Sequence, residues 1–105
     1  MIDLPASQLE TVRHILSAHV PDCEVRAFGS RIGNAAKAWS DLDLAVVGNS
    51  KLEKSTLFAL KEAFEESDLP IRVDVLDWHT ISPEFKAVVE AGYEVVQKKD
   101  GLARR

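Results

Sequence analysis

Apolar residues at Leu9, Val12, Ile15, Leu16 and Val20 recur at three- and four-residue steps, the spacing that lines one face of a helix. Ser7-Gln8-Leu9-Glu10 has the form of a capping box, so a helix is expected to open there and to close at Pro21. The period then falls to two. Val25-Arg26-Ala27-Phe28 reads as a first strand and Asp41 to Val47 as a second, with a short helical stretch from Arg31 to Ala38 between them. Ser50-Lys51-Leu52-Glu53 has the form of a second capping box, opening a helix with Leu57, Leu60, Ala63 and Phe64 on its apolar face. Pro70 ends that element and begins a third strand through Leu76. Ser82-Pro83-Glu84 starts a last helix containing Phe85, Val88 and Val89 and ended by Gly92, and Tyr93 to Val96 is a fourth strand or an extended tail. The order α-β-α-β-α-β-α predicts an α/β (α+β) domain with a mixed sheet of three to four strands and helices on one face.

The polar positions of those strands carry the chemistry. In the second strand Asp41 and Asp43 flank Leu42, so both carboxylates leave the same face of the sheet. Side-by-side anions repel, and an oxygen-only pair at the mouth of a strand suits Mg²⁺, which takes one or two carboxylates plus substrate phosphates. In the third strand Ile71, Val73 and Val75 share one face and Arg72, Asp74 and Leu76 the other. If the valines pack under helices together with Leu42, Leu44 and Val46, Asp74 emerges beside Asp41 and Asp43, and three carboxylates are expected to converge. Asp77 falls on the opposite face and stays outside the site. Before them, Gly29 and Ser30 form a turn able to cradle phosphate: glycine lets the backbone approach closely, and free N–H groups at a helix start favour an anion. A calcium loop is ruled out, because Ala45 stands where it needs an oxygen ligand and Val46 where it needs glycine.

The 105 residues make one domain with one core, expected over 1–97 with 98–105 as a flexible polar tail. Apolar content of 46% and charged content of 29% are ordinary for a soluble protein. A net charge of −4 disfavours a nucleic-acid substrate, which is usually gripped through a basic patch. Cys23 is the single cysteine, so no intrachain disulfide can form, and with neither a signal-like segment nor an 18-residue apolar run the cytoplasm is the expected compartment and no membrane contact is expected. His14, His19 and His79 form no recognisable ligand set. Trp39 and Trp78 suit either a base-stacking role or packing. Phe28, Ala45, Val47 and Leu76 share the carboxylate face, which would leave an apolar rim for a partner.

Gly29, Ser30, Asp41 and Asp43 in the pattern G-S-x(10)-D-x-D, followed by a strand bearing Asp74, resemble the nucleotidyltransferase superfamily of DNA polymerase beta. Ser40-Asp41-Leu42-Asp43-Leu44-Ala45-Val46 is similar to its minimal nucleotidyltransferases, and the likeness runs from about Val25 to Val96. One departure is that Gly33 and Asn34 stand where the family often has a second arginine and a glycine, leaving Arg31 and Lys37 as nearby cations. The resemblance implies an enzyme that transfers a nucleoside monophosphate, AMP from MgATP in the favoured reading, to a hydroxyl of a partner. It implies that Asp41 and Asp43 bridge two Mg²⁺ ions, that Asp74 completes the metal site and helps activate the nucleophile, and that Gly29, Ser30 and Arg31 hold the triphosphate. It further implies a small helical HEPN-domain protein as partner, the chain acting as the antitoxin of a toxin–antitoxin pair by adenylylating a tyrosine. Two alternatives are an antitoxin that acts by occlusion without catalysis and a small-molecule transferase that modifies an antibiotic. A homo-oligomer is left open.

Overall fold

The computed structural model describes residues 2–33 and 40–99. Its elements are helix α1 (Ala6–His19), strand β1 (Glu24–Phe28), a 3₁₀ turn (Gly29–Ile32), β2 (Leu42–Val47), α2 (Lys54–Glu65), β3 (Val73–Asp77), a second 3₁₀ turn (Trp78–Thr80), α3 (Pro83–Glu90) and β4 (Glu94–Gln97). The sheet order is β3-β2-β1-β4. β1 runs antiparallel to both β2 and β4, whereas β2 and β3 are parallel, which requires the crossover that α2 supplies. The fourth strand is therefore real. The expected helix from Arg31 to Ala38 is a 3₁₀ turn as far as Ile32, and Asn34, Lys37, Trp39 and the tail beyond residue 99 lie outside the described residues.

Strict alternation along the strands builds the core. Val25 and Ala27 of β1, Leu42, Leu44 and Val46 of β2, and Val75 of β3 point to one face, where Val12 and Leu16 of α1 and Leu60 and Phe64 of α2 cover them. Each such side chain is worth about 1.5–3 kcal/mol of burial. β4 is tied down from below: the Gln97 amide donates to the carbonyls of Val20 and Cys23, and Arg13 Nε donates to the Val96 carbonyl.

The helices do not all lie on one face. α3 packs on the other side, where Phe85 and Val89, one helical turn apart, close over Phe28 and Ala45. The Phe28 and Phe85 rings meet edge to face with centroids 5.7 Å apart. The apolar rim expected to stand open is thus partly roofed by the protein's own last helix. Trp78 belongs to the same layer, between the Arg26 guanidinium 4.9 Å from its ring centre and Lys86 Nζ at 5.5 Å.

Both predicted capping boxes are displaced. α1 begins at Ala6, because the Pro5 carbonyl accepts the first-turn N–H groups of Gln8 and Leu9, and Ser7 lies inside the helix. α2 begins only at Lys54, since the Leu52 N–H is taken by Asp77 Oδ2 at 2.9 Å and the chain stays extended until Glu53. The third start is as expected: Ser82 Oγ accepts from Phe85 N–H at 3.1 Å, with Pro83 in the first turn.

Candidate active site

Asp43 and Asp74 are direct neighbours across the parallel pair β2–β3. Both project to the face opposite the α1–α2 core, because their strand neighbours Leu42, Leu44 and Val75 fill that core. Burial, followed by the charges of Asp74 and Asp41, pushes the Asp43 carboxyl above the usual carboxylate range. Arg72 pairs with Asp74, its Nε 3.3 Å from Asp74 Oδ1, in a largely exposed contact. Asp41 precedes β2 and contributes its charge to the cluster, yet among the described residues no three carboxylate, imidazole or thiolate groups close into a metal cage. The expected threefold convergence is in this structure a pair with a third acid nearby.

Gly29 fixes the other wall. It has φ +85°, a left-handed conformation that side chains disfavour, and a Cβ placed on it would stand 2.5 Å from Asp43 Oδ2. Phe28 pairs with Asp43 across β1–β2, so the end of β1 delivers the turn directly onto that carboxylate. The close approach anticipated toward a ligand is therefore also an approach toward the acid itself. Ser30 sits within the 3₁₀ turn, which Gly33 N–H closes onto the Ser30 carbonyl. Its hydroxyl caps no helix among the described residues.

Arg31 is elsewhere. It is 6% exposed, and its guanidinium donates to the carbonyls of Asp3 at 2.9 Å and of Ser40 at 3.0 and 3.2 Å. It ties the N-terminal segment and the entry to β2 beneath the turn, so its expected phosphate contact gives way to a bracing one. Asp77, as expected, lies on the core face. His79 spends Nε2 on the Gly48 carbonyl at 2.7 Å.

A groove of about 840 Å³ opens beside the acid pair. Asp43, Asp74, Phe28 and Phe85 line it together with Lys61, Phe64 and Glu65 of α2. Strand alternation could not reveal the α2 contribution. The four-residue step from Lys61 to Glu65, beside Phe64, was the only hint that one helix face carries charge along a pocket.

Residues 10–101 match the family described as polymerase beta, nucleotidyltransferase. The chain belongs to that family. It is a nucleotidyltransferase by this membership, and the match covers the turn, the Asp-x-Asp strand and the strand carrying Asp74. Among curated relatives it is 46% identical over 99 residues to the probable protein adenylyltransferase MntA of Haemophilus influenzae, covering 94% of this chain and 87% of that one. The fold is shared with solved toxin–antitoxin structures. A toxin–antitoxin crystal structure with AMP-PNP superposes with TM-score 0.73 at 20% identity, over 88% of this chain and 74% of that one. The MNT antitoxin in complex with a tri-AMPylated HEPN toxin from Shewanella oneidensis superposes with TM-score 0.67 at 18% identity, over 92% and 75%.

Proposed function

We propose that this nucleotidyltransferase is a protein adenylyltransferase: it moves AMP from MgATP to a hydroxyl of a helical HEPN-domain protein, and thereby acts as its antitoxin. The observation that carries the reading is the Asp43–Asp74 pair with the Gly29 turn pressed against Asp43. A half-buried Asp43 made costly by burial and by the charge of Asp74 beside it is suited to a cation, and a pair of this kind matches Mg²⁺ carried in on phosphates. Asp43 and Asp74 would hold it, with Asp41 supplying further negative charge or turning in as a third ligand; a second ion would use the same acids. The bound Mg²⁺ supplies neutralisation of the phosphate charge that builds up during transfer.

The chain's own residues do the rest. Gly29 and Ser30 present backbone N–H groups and the Ser30 hydroxyl to the triphosphate, and Arg31 holds their turn in place through Asp3 and Ser40. The acceptor oxygen attacks the α-phosphorus; one P–O bond forms, the bond to the bridging α–β oxygen breaks, and pyrophosphate leaves. The hydroxyl proton passes to Asp74, the acid carried by the edge strand that borders the groove. Positioning in line is the main contribution of such a site. The 46% identity to a protein adenylyltransferase supports AMP and a protein acceptor, and the solved complexes support a HEPN partner. The need for ATP points to the cytoplasm, and the domain is taken as residues 1–97 with 98–105 as its tail.

Incubation of the purified chain with the HEPN-domain protein and MgATP, followed by intact-mass spectrometry, tests the reading. One or more AMP additions on the partner are expected. A partner that is neutralised but unmodified would contradict catalysis.

A further inference from the structure

β3 is an edge of the sheet, paired on one side with β2 and, among the described residues, with no strand on the other. Its pairing shows which backbone groups are left over. Leu42 N–H donates to the Arg72 carbonyl at 2.9 Å, so the peptide groups of Arg72, Asp74 and Leu76 turn toward β2. Those of Val73 and Val75 turn outward, and no hydrogen bond to them is formed among the described residues. An unpaired row of this kind is a template for one more strand.

The groove lies along the same edge and has a wall on each side of it. Phe64 and Lys61 of α2 stand on the valine side, and Asp43, Asp74 and Phe85 on the other. Gly29 and Ser30 are not part of it: the strand order puts the phosphate turn on the β1 side of Asp43 and the free edge on the β3 side. A nucleotide held by the turn and an acceptor entering along the edge would thus approach Asp43 from opposite sides, as in-line displacement demands.

We infer that the groove binds the acceptor protein through an extended segment that adds to β3, pairing with the outward peptide groups of Val73 and Val75. The inference rests on the adenylyltransferase reading for its occupant. Side chains of an added strand alternate between the two walls. One set packs against Phe64 under α2; the other lies beside Asp74 on the acid face, and the reacting hydroxyl belongs to that set. Recognition through backbone groups makes docking tolerant of the segment's sequence and strict about its extended shape. A folded helix cannot present the required N–H and C=O groups, so the acceptor hydroxyl has to lie in a loop, a terminus or a locally unwound turn of the partner.

The test has two arms, with the HEPN-domain protein as probe. In hydrogen exchange of the unaltered chain with an α,β-methylene ATP analogue and Mg²⁺, adding the partner should slow the Val73 and Val75 amides at least about tenfold. Val73→Pro removes one outward donor and leaves the Arg72 and Asp74 groups of the ladder untouched. It should raise KM for the partner about tenfold, keep kcat within about threefold and leave nucleotide affinity unchanged. Absence of protection at both amides, or an unchanged KM in a folded Val73→Pro chain, overturns the inference. Should that variant fail to fold, the exchange result on the unaltered chain decides alone. Protection without AMP transfer would retain the docking mode and remove the adenylyltransferase reading; AMP transfer without protection would do the reverse.

Discussion

The two ends of the β2–β3 pair each hold a carboxylate, and they are built in opposite ways. At the far end Asp77 is 2% exposed and fully used: Oδ2 accepts from Leu52 N–H and Oδ1 from His79 N–H, both near 3 Å, so the acid locks the loop before α2 to the turn after β3. At the near end Asp43 is half-buried, faces Asp74 and has Gly29 pressed on it, with Asp41 adding to the repulsion. One acid is satisfied by the fold and stabilises it. The other is left dissatisfied by the fold, which is how a site reserved for a cation and phosphates is expected to look.

Removing the acids at each end should separate catalysis from stability. Asp43→Asn or Asp74→Asn should lower AMP transfer by roughly a thousandfold or more, the scale of losing several kcal/mol of transition-state charge stabilisation, while partner binding persists in a pull-down. Gly29→Ala should come next. The added Cβ meets both the positive φ and Asp43 Oδ2, so a loss of about 1–3 kcal/mol in stability by denaturant titration should accompany loss of transfer. Asp77→Ala should cost about 2 kcal/mol by orphaning the Leu52 N–H, yet leave transfer per folded molecule near normal.

The smallest effect concerns pH. Asp43 has its folded pKa raised, so the folded state holds the proton more tightly than the unfolded chain, and stability falls as pH rises from the ordinary carboxylate value through the raised one. Asp43→Asn removes that penalty. Thermal melts should show the variant above the unaltered protein at neutral pH and level with it at about pH 3.

Much of this contrast was readable from residue spacing. Alternation in β2 and β3 separated Asp43 and Asp74 from Asp77, because one-residue offsets in a strand assign faces without knowledge of anything else. Ser82-Pro83 marked the start of α3 because the cap and first turn are local interactions. What failed depended on distant partners. The Ser50 box did not open α2 because Asp77, 25 residues from Leu52, holds the backbone there. The sequence located α3 with Phe85, Val88 and Val89 in it but could not say which sheet face Phe85 and Val89 would cover or that Val88 would stand exposed. Arg31 beside Gly29-Ser30 suggested a phosphate ligand, yet two backbone carbonyls from distinct loops claim its guanidinium. No local pattern signals that.

If the near-end acids hold a metal-bound nucleotide, its binding must depend on both the metal and Asp43. Isothermal titration with the α,β-methylene ATP analogue tests it directly, with and without Mg²⁺, in the unaltered chain and in Asp43→Asn. Binding should be Mg²⁺-dependent and weakened by the substitution about tenfold or more, a difference of about 1.4 kcal/mol or greater. Equal affinity in both proteins, or binding indifferent to Mg²⁺, would contradict it.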